Sequence, residues 1–284
     1  MKYHTLIRQA LIIDGSNTPG YIADVGLRDG RIEKIGDLSQ AEAEYEIDAT
    51  GRVLAPGFID VHTHDDTVVI RHPQMLPKLS QGVTTVIVGN CGISASPVSL
   101  RGDPPDPMNL LGKAEAFAYP RFCDYRFAVE NAQPAVNVAA LIGHTALRSN
   151  HMDDLHRTAT SGEIAAMRAQ LQESLEEGAL GLSTGLAYAS AFSAETDEVL
   201  QLSEELTAYG AVYTTHLRSE FEPVLEAMDE AFLIGRHAKA PVIISHLKCA
   251  GAGNWGRSPQ LLASLELAAK THPVGGKQQQ QKNA

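Results

Sequence analysis

Cysteine is scarce. Cys91, Cys123 and Cys249 are the three in 284 residues, an odd number, widely spaced and without a CxxC pair. That excludes a disulfide framework and suits free thiols in a reducing compartment. Long apolar runs are missing too: none approaches the roughly 20 residues that span a bilayer, so no membrane partner is expected. The N-terminus, Met1-Lys2-Tyr3-His4-Thr5-Leu6-Ile7-Arg8, has neither an apolar signal-peptide core nor a small-residue cleavage site. The default location is cytoplasmic. Positive charge is in deficit, with a net charge of -11 and no Lys/Arg-rich block, which argues against a nucleic-acid partner. No GxGxxG or Walker sequence opens a helix. What is present, 44% hydrophobic and 20% charged residues, describes a soluble globular protein of one large domain or two ordinary ones.

Residues 1–54 read as short strands broken by turns. Apolar runs at 5–13, 21–27 and 31–35 are punctuated by Asp14-Gly15, Asp29-Gly30 and Gly36, and runs at 44–48 and 52–54 flank Ala49-Thr50-Gly51. Asp-Gly between such runs is a hairpin signal, and the segment is expected to form a small β-sandwich lobe. From residue 55 the rhythm becomes strand, loop, helix. Strands are predicted at 58–64, 84–88, 136–142, 180–183, 212–216 and 242–246, and helices at 162–177, 196–209 and 223–238. In the first helix Ile164, Met167, Leu171 and Leu175 recur at helical spacing, with Ser161 as a start signal and Gly178 as a stop. Polar residues cluster at the C-terminal ends of several different strands. This favours a TIM-type (β/α)8 barrel over a doubly wound sheet, which concentrates its site at one crevice. Residues 93–135 fit no simple strand–helix unit. The aromatic stretch 117–129 reads as a lid over the barrel mouth, a secondary hairpin or an ordinary surface excursion. About six barrel strands are legible where eight are needed, and residues 271–284 have no core pattern. The expectation is an α/β protein with an incomplete barrel over 55–270 and a low-complexity tail over 271–284.

The chemistry lies in histidine and cysteine. His62 and His64 sit two residues apart at the end of an apolar run, so on a strand they share one face with Asp60. Cys91, His216 and His246 each close another β-branched run. Alone, a buried cysteine is most often a small hydrophobe and a buried histidine a satisfied core residue. Together, imidazole and thiolate at the same end of parallel strands make a donor set for a borderline-soft divalent ion, zinc (Zn2+) above all. His144 closes a further strand and is expected beside the metal ligands or facing substrate.

Five segments carry a family resemblance: Ala55-Pro56-Gly57-Phe58-Ile59-Asp60-Val61-His62-Thr63-His64-Asp65-Asp66, Val88-Gly89-Asn90-Cys91-Gly92, Gly181-Leu182-Ser183-Thr184-Gly185-Leu186-Ala187-Tyr188, Thr215-His216-Leu217-Arg218-Ser219-Glu220 and Ser245-His246-Leu247-Lys248. The sequence resembles the N-acyl-D-amino-acid deacylases (D-aminoacylases) of the amidohydrolase superfamily. The resemblance implies a zinc-dependent hydrolase of small-molecule N-acyl-D-amino acids, built from a β-sandwich lobe and a barrel. It assigns Cys91, His216 and His246 to a tightly bound zinc. His62 and His64 line a second, weaker metal position that Cys91 can bridge, and Tyr188 and Lys248 bind substrate. Other branches of the superfamily bridge two metals with a carboxylated lysine on the fourth strand, and residues 180–185 contain none. In the family, an aspartate ending the eighth strand serves as general acid and base. That residue is expected beyond the end of this chain, so no catalytic acid is assigned and the chain reads as C-terminally truncated. The alternatives are an amidohydrolase acting on cyclic amides or imides, of the dihydropyrimidinase kind, and a catalytically inert zinc-binding fragment.

Overall fold

A computed structural model describes residues 2–276. These residues fall into two compact units that meet between Phe58 and Ile59, a few residues beyond the change of rhythm after Leu54. In the first unit, β1 (Lys2–Ile12), β2 (Tyr21–Arg28), β3 (Arg31–Gly36), β4 (Glu42–Asp48) and β5 (Val53–Leu54) form one sheet of order β3-β2-β1-β4, with β5 also on β1. Strand β1 buries Tyr3 and Leu6 before a bulge between Ile7 and Ala10, and Ala10 and Ile12 after it. The bulge residue Gln9 has φ of +56°, and its amide donates to the buried carboxylate of Asp24 at 2.9 Å. Satisfying that amide with a side chain lets the strand change phase without leaving an orphan donor. The sequence reading of this segment as short strands and turns holds, strand by strand; of the expected β-sandwich, the described residues form one sheet.

The second unit follows the predicted alternation. Its strands are β6 (Phe58–Asp60), β7 (Val83–Val88), β8 (Asn137–Ala140), β9 (Ile142–Gly143), β10 (Gly181–Gly185), β11 (Val212–His216), β12 (Val242–Ile244) and β13 (Val274–Gly276). They form two sheets of order β6-β7-β8 and β9-β10-β11-β12-β13, so spatial order is chain order. The pairings β7/β8, β9/β10, β10/β11, β11/β12 and β12/β13 are all parallel. Only Leu141 separates β8 from β9, and its amide donates to Val88 O at 3.0 Å. The connections carry α1 (Val68–Arg71), α2 (Leu76–Leu79), α3 (Phe122–Ala132), α4 (His144–His151), α5 (Ser161–Glu176), α6 (Ala189–Phe192), α7 (Thr196–Ser203), α8 (Val224–Ala238) and α9 (Ser258–Ala269). One core joins strand residues Val86, Val88, Ile142, Leu182, Tyr213 and Ile244 to helix residues Met167, Leu171, Leu202, Met228 and Ile234. Each such large aliphatic side chain contributes about 1.5–3 kcal/mol when fully buried. Among the described residues, no helix is long and apolar enough to cross a membrane.

Four sequence expectations change. Helix α5 starts one residue earlier than read, because Thr160 rather than Ser161 is its N-cap. Thr160 Oγ1 accepts from the Glu163 amide at 3.3 Å while the Glu163 carboxylate accepts from the Thr160 amide at 2.7 Å, a reciprocal capping box. The aromatic stretch after residue 117 is neither lid nor hairpin: it holds the connecting helix α3, whose Phe122 and Tyr125 enter the core. The first predicted strand stops at Asp60, so His62 and His64 lie beyond it. Finally, residues 274–276, read as tail, pair in parallel with β12 through Val242, Ile243 and Ile244. Residues 277–284 of the predicted tail lie outside the described residues.

Candidate metal centre

The five predicted ligands come together at the C-terminal ends of the strands. His216 is the last residue of β11, and the others sit just past a strand end: His62 and His64 after β6, Cys91 after β7, His246 after β12. Cys91 Sγ lies 3.3 Å from His62 Nε2 and 3.5 Å from His246 Nε2. Two donor groups result, His62/His64/Cys91 and Cys91/His216/His246, and within each the ligand atoms lie within 4.8 Å of one another. Cys91 is common to both. The rings of His216 and His246 meet at 4.4 Å between centroids, those of His62 and His246 at 5.1 Å, and those of His62 and His64 at 5.5 Å. The His62/His64 spacing therefore works through the turn after β6 rather than through a shared strand face.

The electrostatics suit a cation. Burial lowers the pKa of His64 and takes that of His216 down to about 4, so both imidazoles keep a free lone pair at neutral pH. Burial pushes the Cys91 thiol up to about 12. No thiolate forms there unaided, and a divalent cation is the partner that deprotonates a coordinating thiol outright. His64 Nδ1 is buried with no hydrogen-bond partner. Nitrogen and sulfur donors of this kind select zinc over magnesium or calcium. The residues present therefore fit the metal that the family implies.

A second layer of contacts aims the donors. His246 Nδ1 donates to Glu220 Oε1 at 2.8 Å, which leaves Nε2 toward Cys91. The other Glu220 oxygen pairs with the Lys248 ammonium and lies 3.9 Å from His216 Nε2. Burial alone raises the Glu220 pKa, but the hydrogen bonds from His246 and Lys248 outweigh it and hold the carboxylate ionised. Tyr188 Oη is 3.1 Å from His216 Nδ1, and burial keeps its phenol protonated. The predicted substrate-binding residues Tyr188 and Lys248 thus stand against the candidate ligands His216 and His246, with Lys248 half-exposed. Ahead of them, Lys78 Nζ reaches Asp60 at 2.7 Å and Asp65 at 3.0 Å, bracing the His62–His64 segment from both sides.

His144 goes elsewhere. It is fully buried, with Nε2 2.7 Å from Glu198, a carboxylate that also pairs with the fully buried Arg148 at 2.6 Å. It neither joins the ligand cluster nor faces solvent, which corrects its reading as a ligand neighbour or substrate contact. Sequence reasoning quoted Glu220 within a motif without giving it a role. Its signal was present: a carboxylate four residues after His216, in a segment otherwise read for its histidine.

The amidohydrolase family profile matches residues 45–275. The D-aminoacylase of Alcaligenes xylosoxydans xylosoxydans is 47% identical over 272 residues, covering 96% of this chain and 56% of that protein. This chain therefore spans little more than half the length of that relative. A crystal structure of D-aminoacylase superposes with a TM-score of 0.95 at 45% identity, over 97% of this chain and 58% of that one. The N-acyl-D-glutamate deacylase of Bordetella bronchiseptica, solved with zinc and a phosphonate inhibitor, gives 0.92 at 40% identity over 97% of this chain and 58% of that one. With all five candidate metal donors inside the matched residues, the chain belongs to the amidohydrolase family and within it resembles the D-aminoacylase branch.

Proposed function

We propose that this chain carries the zinc centre of an enzyme that hydrolyses the amide bond of N-acyl-D-amino acids, releasing a carboxylate and a free D-amino acid. One observation carries the reading: a single buried cysteine reaches two histidine pairs drawn from three strand ends. In this reading Cys91, His216 and His246 would hold the tighter zinc, His62 and His64 would line a second position, and Cys91 is common to both donor groups. The strands belong to a (β/α) barrel, supported by parallel pairing in chain order with the donors at one end. Bound zinc lowers the pKa of its water to about 7 and polarises a carbonyl.

The chain's own residues do the rest. Glu220 and Tyr188 hold His246 and His216 in the ring orientation that presents Nε2. The Tyr188 phenol donates a hydrogen bond to the developing oxyanion. The half-exposed Lys248 ammonium, held by its ion pair with Glu220, draws in the substrate carboxylate. Asp60 and Asp65 are tied to Lys78, so neither is offered as the acid that protonates the leaving amine. The absence of lysine from β10 favours this branch over the cyclic-amide hydrolases.

The reading is tested by elemental analysis of the purified chain alongside assay on N-acetyl-D- and N-acetyl-L-amino acids. Zinc together with turnover confined to the D series is expected of the enzyme. Absence of zinc, or turnover of cyclic imides instead, would sink the reading, and zinc with no turnover would leave an inert metal-binding protein.

A further inference from the structure

Cys91 stands in an unfavourable conformation. Its φ is +56°, between Gly89 at +77° and Gly92 at +76°. Residues with a Cβ enter the left-handed region only where the surroundings hold them there. The holding group is a serine from another strand. Ser183, on β10 and fully buried, donates from Oγ to Gly89 O at 2.5 Å and accepts from the Gly92 amide at 3.1 Å. One hydroxyl thus ties both ends of the four-residue turn that carries the thiol. Backbone contact with β10 leaves the turn no slack: a Cβ on Gly185 would fall 2.2 Å from Cys91 O, and one on Gly92 2.7 Å from Gly185 N.

We propose that Ser183 is a positioning residue for the metal centre, its buried hydroxyl locking residues 89–92 in the left-handed turn that aims Cys91 Sγ at His62 and His246. The inference rests on the proposed function only in treating Cys91 as a metal ligand. The turn and its lock are features of the chain itself.

The test is alkylation by iodoacetamide under native conditions, read cysteine by cysteine from peptide masses, with and without zinc. Cys123 and Cys249, both partly exposed and free, serve as internal references. The comparison is Ser183→Ala against Ser174→Ala, which deletes another buried hydroxyl, one that donates to Gln170 O on α5. In metal-free Ser183→Ala, Cys91 is expected to react about 10- to 100-fold faster, the factor carried by the two hydrogen bonds lost from an opening equilibrium. Cys123 and Cys249 keep their rates, and Ser174→Ala leaves Cys91 unchanged. Zinc affinity of Ser183→Ala, read by competition with a chromophoric chelator, falls about 10- to 100-fold. Equal acceleration of all three cysteines would make Ser183 a stability residue and overturn the proposal, as would an unchanged Cys91 rate. Failure of zinc to protect Cys91 in the unsubstituted chain counts against the metal centre, while the metal-free rates still decide the role of Ser183.

Discussion

At the scale of single residues, the centre depends on groups whose partners are distant in sequence. Cys91 and His246 approach to 3.5 Å although 155 positions separate them. Glu220 shows how much depends on the second layer: it accepts a hydrogen bond from His246 Nδ1 and pairs with the Lys248 ammonium at the same time. Glu220→Ala is expected to weaken zinc binding about 10- to 100-fold while far-ultraviolet circular dichroism stays unchanged. Zinc affinity equal to that of the parent, measured by chelator competition, would remove Glu220 from the centre. Of the residues at the site, the candidate ligands were legible because His and Cys at the ends of apolar runs are chemically conspicuous. Glu220 and Ser183 were not, because a carboxylate or a hydroxyl near a strand end has many ordinary uses and only its partner reveals which applies.

At the scale of elements, the buried triad His144–Glu198–Arg148 ties α4 to α7. Burial pushes the Glu198 carboxyl up, but the hydrogen bond and charge of His144 and the pairing with Arg148 bring it down to about 2. An unfolded glutamate titrates near pH 4.3. The stability from this pair is therefore fully present above about pH 4 and lost as the pH falls toward about 2. Glu198→Ala leaves the Arg148 charge buried and unpaired, and a loss of about 3–5 kcal/mol is expected in urea unfolding at pH 7. The acid limb of its stability–pH curve should be shallower than the parent's, and a parallel curve would assign the acid sensitivity elsewhere. On α5 the capping box makes a smaller prediction. Thr160→Ala should cost about 1 kcal/mol by the same urea measurement, whereas Ser161→Ala, the cap that sequence favoured, should cost much less.

The elements also show where pattern reading fails. Helix α3 buries Phe122 and Tyr125 and packs Val129 against the same core, positions at helical spacing. The exposed Phe127, at 66% exposure, breaks that pattern for a reader who counts aromatics rather than faces. Strand β13 is three residues long and contains two glycines, too short and too small to alternate, so its pairing with β12 left no trace in the sequence.

For the molecule as a whole, the proposed zinc centre would link metal binding to folding. Zinc held by the native donors and absent from the unfolded chain stabilises by about 2.7 kcal/mol at a free concentration 100 times Kd. Zinc addition is expected to raise the Tm in calorimetry, and Cys91→Ala should abolish the rise. A rise that survives the loss of Cys91 would place the stabilising ion elsewhere.

The sequence by itself determined the local chemistry. Asp-Gly turns between apolar runs set the strands of the first unit, helical spacing set α5, and the apolar runs set β7, β10, β11 and β12. The residue types at the ends of those runs named the donor set. Local sequence suffices for these features because turn propensity, burial period and ligand chemistry act over a few residues. Tertiary structure alone decided how the donors are aimed. His62 and His64 leave their strand before they reach the site, and the left-handed turn of Cys91 exists because Ser183 and the backbone of β10 hold it. A backbone conformation that is unfavourable locally is selected by contacts from other strands, and those contacts form only once the strands have paired.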